Sequence, residues 1–116
     1  MTGSAKRKGD RAELEVQGMC RAELGIPARR ALGAGRRDDM GDIDNVPNTV
    51  IQVVDWKDVR AAVRSKPVEC EQQRLEAQRQ TGEHHFGATF VRLRGGDYRV
   101  VLLPEQWFAL WREAQS

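Results

Sequence analysis

The strongest constraint on this 116-residue chain is an apolar run that ends in charge. The run Val50-Ile51-Gln52-Val53-Val54 leads directly into Asp55-Trp56-Lys57. In an extended strand, Ile51 and Val53 would face one side and the outer valines of the run would face the other. Apolar residues on both faces predict a strand that is covered on both sides of its sheet. Burying two opposite charges at the end of such a strand costs free energy, so their presence there indicates a functional role.

A second carboxylate, Asp42, stands thirteen residues before Asp55. The turn-forming residues between them predict two arms of a hairpin, roughly Gly41–Val46 and Thr49–Lys57. This geometry would bring Asp42 to the same end of the sheet as Asp55. Carboxylates that lie close together repel each other unless a cation neutralises them, and oxygen ligands favour Mg²⁺ or Mn²⁺.

The choice of the upstream carboxylate stays open at this point. Three other aspartates lie close to Asp42 in the sequence, namely Asp38, Asp39 and Asp44. Asp44 is the serious competitor because side chains two residues apart on a strand share a face. The preceding glycine and the following isoleucine favour Asp42.

A helix is predicted from about Lys8 to Leu24, since apolar residues recur there at helical spacing. Glu13 falls within the apolar stripe, and an inward carboxylate needs a partner. It either reaches the functional site or marks the edge of the stripe and meets an arginine or water. Residues 1–5 are expected to be frayed.

Basic residues are concentrated in the first third of the chain. Residues 1–37 hold nine Lys or Arg against four Asp or Glu, whereas residues 38–116 hold ten against thirteen. Such a basic segment can attract phosphates, although a solvated basic loop is the alternative. The predicted phosphate contacts are Lys6, Arg7, Lys8, Arg29, Arg30, Arg36 and Arg37, and the basic residues Arg92, Arg94 and Arg99 of the later hairpin could add to them.

The rest of the chain predicts a helix, a hairpin and a closing helix. The helix would begin at Ser65 or Lys66, with Pro67 in its first turn, and would pack through Val68, Leu75 and Ala77. This helix would end at Gln80. The hairpin would pair Phe86–Leu93 with Tyr98–Leu103 around a Gly-Gly-Asp turn, and the closing helix would span Pro104–Arg112. The aromatic face of the last helix indicates core or a dimer interface. The order is α-β-β-α-β-β-α, in a single α/β domain over residues 1–116.

Several protein classes are disfavoured by composition. No apolar run approaches the roughly 20 residues of a membrane span, so no membrane partner is expected. The two cysteines, Cys20 and Cys70, form neither a disulfide framework nor a zinc site, and reduced thiols indicate a cytoplasmic protein.

The carboxylates and the lysine together resemble a known family. Asp42, Asp55 and Lys57 are similar to the Asp…Asp/Glu-x-Lys signature of the PD-(D/E)xK nuclease superfamily. The opening from Lys8 to Glu13 resembles the first helix of archaeal-type and phage Holliday junction resolvases in that superfamily. With the closing hairpin and helix, the resemblance covers residues 6–113. It implies a restriction-endonuclease-like core, which is a mixed central β-sheet flanked by helices.

The resemblance also implies an activity, a metal-dependent DNA endonuclease acting on branched DNA in recombination. Asp42 and Asp55 would ligate Mg²⁺, or Mn²⁺ in its place, with the main-chain carbonyl of Trp56 as a further ligand. Glu13 would complete the metal shell directly or through water, and Lys57 would orient or activate the attacking water. The products would carry a 5′-phosphate, and the enzyme would be a homodimer in a bacterial or phage-infected cell.

One residue departs from the family pattern, and two other functions stay open. Most resolvase-like relatives carry glutamate where this chain has Asp55. A generic duplex or nicking endonuclease would share the same core as a resolvase. A non-catalytic DNA-binding protein would use the arginines alone and would have no need for Asp55 and Lys57 at the end of a strand.

Overall fold

A computed structural model of the chain describes residues 3–31 and 41–116, with main chain only for residues 3–7. Within these ranges the chain forms three helices and five strands. In chain order they are α1 (Gly3–Leu24), β1 (Arg29–Arg30), β2 (Ile43–Asp44), β3 (Thr49–Val54), α2 (Val59–Thr81), β4 (Phe86–Arg92), β5 (Tyr98–Val101) and α3 (Pro104–Ala114). The fold class is therefore α/β, as predicted.

The strands form two sheets. The larger sheet has the order β3-β4-β5, with β3 and β4 parallel and β4 and β5 antiparallel. Helix α2 makes the crossover that two parallel strands require. The smaller sheet pairs β1 with β2 in antiparallel register. An isolated bridge between Gly41 and Ile51 links the segment before β2 to the larger sheet.

Strand β3 is covered on both faces, which confirms the prediction from its sequence. Ile51 and Val53 pack in one cluster with the buried face of α1. Val50 packs with buried residues of α2, and Val54 packs with Ala62 of the same helix. Helices α1 and α2 therefore flank the strand whose last residue precedes Asp55.

Helix α1 begins at Gly3, five residues earlier than the predicted start, and the segment predicted to be frayed therefore overlaps its first turn. Met1 and Thr2 lie outside the described residues. The buried stripe of this helix consists of Ala12, Val16 and Cys20. This stripe divides the polar side chains of α1 into two sets, and both sets contribute to the site described below.

The predicted start of α2 was wrong. The helix begins at Val59, capped by the Asp58 carboxylate, which accepts from the Ala61 amide at 3.0 Å. Pro67 consequently lies inside the helix. The predicted packing face was also wrong in part, because Val68 and Leu75 are about half exposed. Small side chains pack instead against the sheet, and the buried residues of α2 are Ala62, Pro67, Cys70 and Ala77.

The predicted hairpin of Phe86–Leu93 with Tyr98–Leu103 and the closing helix are confirmed with small changes of boundary. The hairpin predicted from Gly41–Val46 and Thr49–Lys57 was wrong, because β2 and β3 lie in different sheets and Gly41 meets Ile51 in a parallel bridge. Strands β4 and β5 pair around the glycine turn, and α3 begins at Pro104. The short strand β1 was not predicted, since Arg29 and Arg30 were assigned to a basic loop. No helix in the part of the chain that the structure describes has the length and apolar character needed to cross a membrane.

Candidate functional site

Asp55 lies at the carboxyl end of β3, and its nearly buried side chain is surrounded by cations. Arg11 Nη2 is 3.2 Å from Asp55 Oδ2, and Arg92 Nη1 is 3.7 Å from the same oxygen. Lys8 Nζ is 3.9 Å from Asp55 Oδ1. Arg92 also pairs with Glu15, so three positive groups meet two carboxylates and a local excess of positive charge remains.

The same carboxylate lines a pocket of about 400 Å³. Lys57 lines this pocket beside Asp55, so the Asp-x-Lys triplet does contribute both charges to one site. Apart from Asp55, the charged side chains of the lining are all basic, namely Lys8, Arg11, Lys57, Arg92 and Arg94. A concave surface with this composition concentrates anions such as the phosphates of a nucleic acid.

A second group of charges lies on the other side of the α1 stripe. Arg30 Nη2 contacts Glu13 Oε1 at 3.0 Å and Asp10 Oδ1 at 2.5 Å. Burial, and then the negative charge of Asp42, raise the pKa of Glu13 above its ordinary value of 4.5, although Arg30 opposes the shift. Glu13 and Asp42 therefore lie within electrostatic range of each other. Here the carboxylates outnumber the cations, in contrast to the pocket around Asp55.

Asp42 is held against β3 by its main chain and its side chain. Its amide donates to the Ile51 carbonyl at 2.7 Å, and its Oδ2 accepts from the Val53 amide at 2.8 Å. The main-chain carbonyl of Asp42 accepts from the Ala31 amide at 2.7 Å. The Val53 amide therefore donates to the Asp42 carboxylate and not to a main-chain carbonyl. The segment thus bridges the two sheets at Asp42.

Gly41 makes this close approach possible. Its φ is +94°, in the region that favours glycine. A Cβ at this position would lie 2.6 Å from the Ile51 carbonyl oxygen and 3.0 Å from the Ile51 nitrogen. Any larger residue would push the chain away from β3, and Asp42 would move with it.

The structure separates the two competing aspartates. Asp42 lies beside the later part of β3 and within electrostatic range of Glu13, whereas Asp44 lies opposite Arg29 in the smaller sheet. Asp44 also lines a different pocket of about 180 Å³, together with Asn48, Thr49 and His85 near the start of β3. This geometry favours Asp42 as the partner of the residues at the carboxyl end of the strand.

The predicted metal ligands are not assembled into one metal-binding group. Across residues 3–31 and 41–116, no three Asp, Glu, His or Cys side chains are close enough to hold an ion together. The donor chemistry fits a hard cation at Glu13 and Asp42, where two carboxylates repel each other. Asp55 does not form such a group with this pair, and Arg11, Arg92 and Lys8 already compensate its charge.

The predicted phosphate contacts fall into four groups. Lys8 lines the pocket, whereas the Arg30 guanidinium is occupied by Glu13 and Asp10. Arg29 is exposed on β1. The side chains of Lys6 and Arg7 and the whole of Arg36 and Arg37 lie outside the described residues.

Arg11 was not predicted as a site residue, and neither were the hydrogen bonds that hold Arg92 in place. Glu15 Oε1 accepts from Arg92 Nε at 2.8 Å and from the Tyr98 hydroxyl at 2.6 Å. These hydrogen bonds lower the pKa of Glu15, while burial and then the bond to Glu15 raise the pKa of Tyr98. The network fixes Arg92 beside Asp55. The spacing of Lys8, Arg11 and Glu15 along one side of a helix was the available signal.

Comparison of the chain with protein families, with curated proteins and with solved structures finds no match. The interpretation of this site therefore depends on the geometry and chemistry of its own residues.

Proposed function

We propose that the protein is a metal-dependent DNA endonuclease that hydrolyses phosphodiester bonds in branched DNA and leaves 5′-phosphate ends. The observation that carries the proposal is that Asp55 and Lys57 line one basic pocket at the end of a buried strand. A repelling carboxylate pair, Glu13 and Asp42, lies across the buried stripe of α1. The proposal requires these two groups to act on one phosphodiester, because its hydrolysis needs both a bound cation and a positioned phosphate.

The cationic side chains of the pocket have two roles in this proposal. Lys8, Arg11 and Arg94 attract and position the DNA backbone. Lys57 orients the attacking water and stabilises the charge that builds on the phosphate. Mg²⁺ or Mn²⁺, held by Asp42, Asp55, Glu13 and the Trp56 carbonyl, would supply neutralisation of charge and activation of water. The ion pairs of Asp55 must exchange for this ligand set to form.

The architecture supports the restriction-endonuclease-like core that the sequence resemblance implies. The larger sheet is mixed, and α1 and α2 pack on opposite faces of β3. The order of the predicted elements is kept, with only the short β1 added. These features are compatible with other α/β folds, so the proposal depends on the site rather than on the fold.

A homodimer belongs to the same proposal. Large apolar side chains on α3 are between 39% and 52% exposed, namely Trp107, Phe108, Leu110 and Trp111. An exposed apolar cluster of this kind supports a protein interface. Sedimentation should give a dimer that Trp107→Glu converts to a monomer, and a monomeric native protein would remove this part of the proposal.

The test is cleavage of two labelled substrates of the same sequence, a four-way junction and a linear duplex. We expect cleavage of the junction in Mg²⁺ or Mn²⁺ and none in chelator, with 5′-phosphate ends that a ligase can seal. Equal cleavage of both substrates would favour a generic duplex or nicking endonuclease. No metal-dependent cleavage of either substrate would contradict the proposal.

A second candidate is a DNA-binding protein without catalysis. The observation that favours it is the engagement of Asp55 by three cations, which can be a purely structural ion-pair cluster. This candidate predicts DNA binding that is insensitive to divalent metal. The same assay decides between the two, because only the nuclease converts bound DNA to product.

A further inference from the structure

The feature that the proposed mechanism leaves unexplained is the Trp56 side chain. The indole is 41% exposed, although tryptophan is highly buried on average. The ring lines the basic pocket, directly after Asp55. A large apolar surface at the edge of a cationic pocket needs a ligand that has both an apolar face and a negative charge.

The ring is restrained from the side of α2. Lys66 Nζ lies 5.2 Å from the centroid of the Trp56 ring, within the range of a cation–π contact. Lys66 is itself paired with Glu69 at 3.3 Å, so the ammonium group has a fixed neighbour. Just after the tryptophan, the Asp58 cap fixes the start of the helix. An exposed ring that is held in this way loses little conformational freedom when a ligand stacks on it.

The surroundings of Trp56 differ from those of the other two tryptophans. Trp107 and Trp111 are about half exposed on α3, but their neighbours include the apolar Phe108 and Leu110. Apolar surroundings suit a protein partner. Trp56 instead stands among cations, and an aromatic ring among cations suits a nucleic-acid strand in which a base stacks while the phosphates pair.

We propose that Trp56 is a stacking platform for an unpaired base. The ligand of the pocket is then a DNA strand with at least one unpaired nucleotide, such as a single-stranded segment or a flap, and not a continuous duplex. Inside a duplex both faces of each base are covered by neighbouring bases. Only an unstacked base can therefore place its face against an aromatic side chain. With Lys66 against one face of the ring, the base stacks on the other. This inference rests on the proposed function only for the location of the DNA.

The experiment measures binding in chelator, where no cleavage occurs. Labelled single-stranded DNA and a blunt duplex of the same sequence are titrated with wild type, Trp56→Ala, Trp56→Phe and Leu75→Ala, which truncates a half-exposed apolar side chain of α2 outside the pocket. Trp56→Ala should weaken single-strand binding about 10-fold and duplex binding less than about twofold. Its salt dependence should not change, because no charge is removed. Trp56→Phe should retain most of the affinity, and the control Leu75→Ala should retain all of it.

Equal losses on both substrates, or the same loss in Leu75→Ala, would overturn the inference. If Trp56→Ala does not fold, Trp107→Phe/Trp111→Phe leaves Trp56 as the sole tryptophan. Its fluorescence should then be quenched by single-stranded DNA and not by the duplex, and the absence of this difference would also overturn the inference. Failure of the cleavage assay would remove the nuclease proposal but leave this binding preference in place.

Discussion

The two sides of helix α1 carry opposite charge balances. On one side, Asp10 and Glu13 share the single guanidinium of Arg30, and Asp42 adds a further negative charge. On the other side, Lys8, Arg11 and Arg92 surround the carboxylate of Asp55, and Arg92 also pairs with Glu15. The α1 members of the two groups are only a few residues apart in sequence, and the buried stripe of the helix lies between them.

This difference shows what each side lacks. The acidic side has a surplus of carboxylates, so a bound cation would relieve its repulsion. The basic side has a surplus of cations around a pocket, so a bound phosphate would relieve the repulsion among these cations. A phosphodiesterase needs both within one site, so the nuclease proposed above requires the two sides to act together.

The largest effect that we expect from disturbing this arrangement is at Gly41. Gly41→Ala places a Cβ against the Ile51 backbone at positive φ, so the unfolding free energy should fall by about 2–4 kcal/mol in urea denaturation. The matched control is Gly18→Ala in α1, where nothing lies within 4 Å. Because alanine favours a helix, the control should gain about 0.5–1 kcal/mol. Equal stability of the Gly41 variant and wild type would show that Asp42 does not depend on this approach.

The basic side should set the salt dependence of DNA binding. Lys57→Ala and Arg94→Ala should each lower the slope of log affinity against log salt by about one, because each removes one phosphate contact. Arg79→Ala removes the same charge from the exposed face of α2, where Arg79 pairs with Glu76, and should leave the slope unchanged. If all three variants behave alike, the pocket attracts DNA only through net charge.

The acidic side should give the smallest but most specific signal, the titration of Glu13. Its raised pKa means that, above pH 4.5, the folded protein still holds a proton that the unfolded chain has released. The unfolding free energy therefore falls as pH rises from 4.5 through the folded pKa. Glu13→Gln should remove this fall. Asp42→Asn should lower the pKa of Glu13 in carboxyl ¹³C NMR titrations, and an unchanged pKa would contradict their proximity.

Much of the fold could be predicted from local patterns. The run before Asp55 indicates a strand that is buried on both faces, and the Gly-Gly-Asp turn indicates the β4–β5 hairpin. The start of α2 was missed because Pro67 was assigned to a first turn, although Asp58 is a typical N-cap. The two-residue strand β1 is too short for any pattern, since it depends on pairing with β2.

The site was predictable in its residue types but not in its pairings. The exposure of Glu13 and its partner Arg30 depend on how α1 lies across the smaller sheet. The three cations around Asp55 come from α1 and β4, which are far apart in sequence. Periodicity places each residue on a face of its own element, but only the packing of the elements decides which charges meet.

The most direct test of the central claim compares cleavage and binding in one variant, Asp42→Asn. An asparagine oxygen can still accept from the Val53 amide, so the variant removes the charge and keeps the hydrogen bond. The single-turnover cleavage rate in Mg²⁺ should fall on the order of 1,000-fold, while DNA affinity stays within about twofold. Asp44→Asn removes the same charge two residues away and should leave the rate unchanged. Undiminished cleavage by Asp42→Asn would contradict the account.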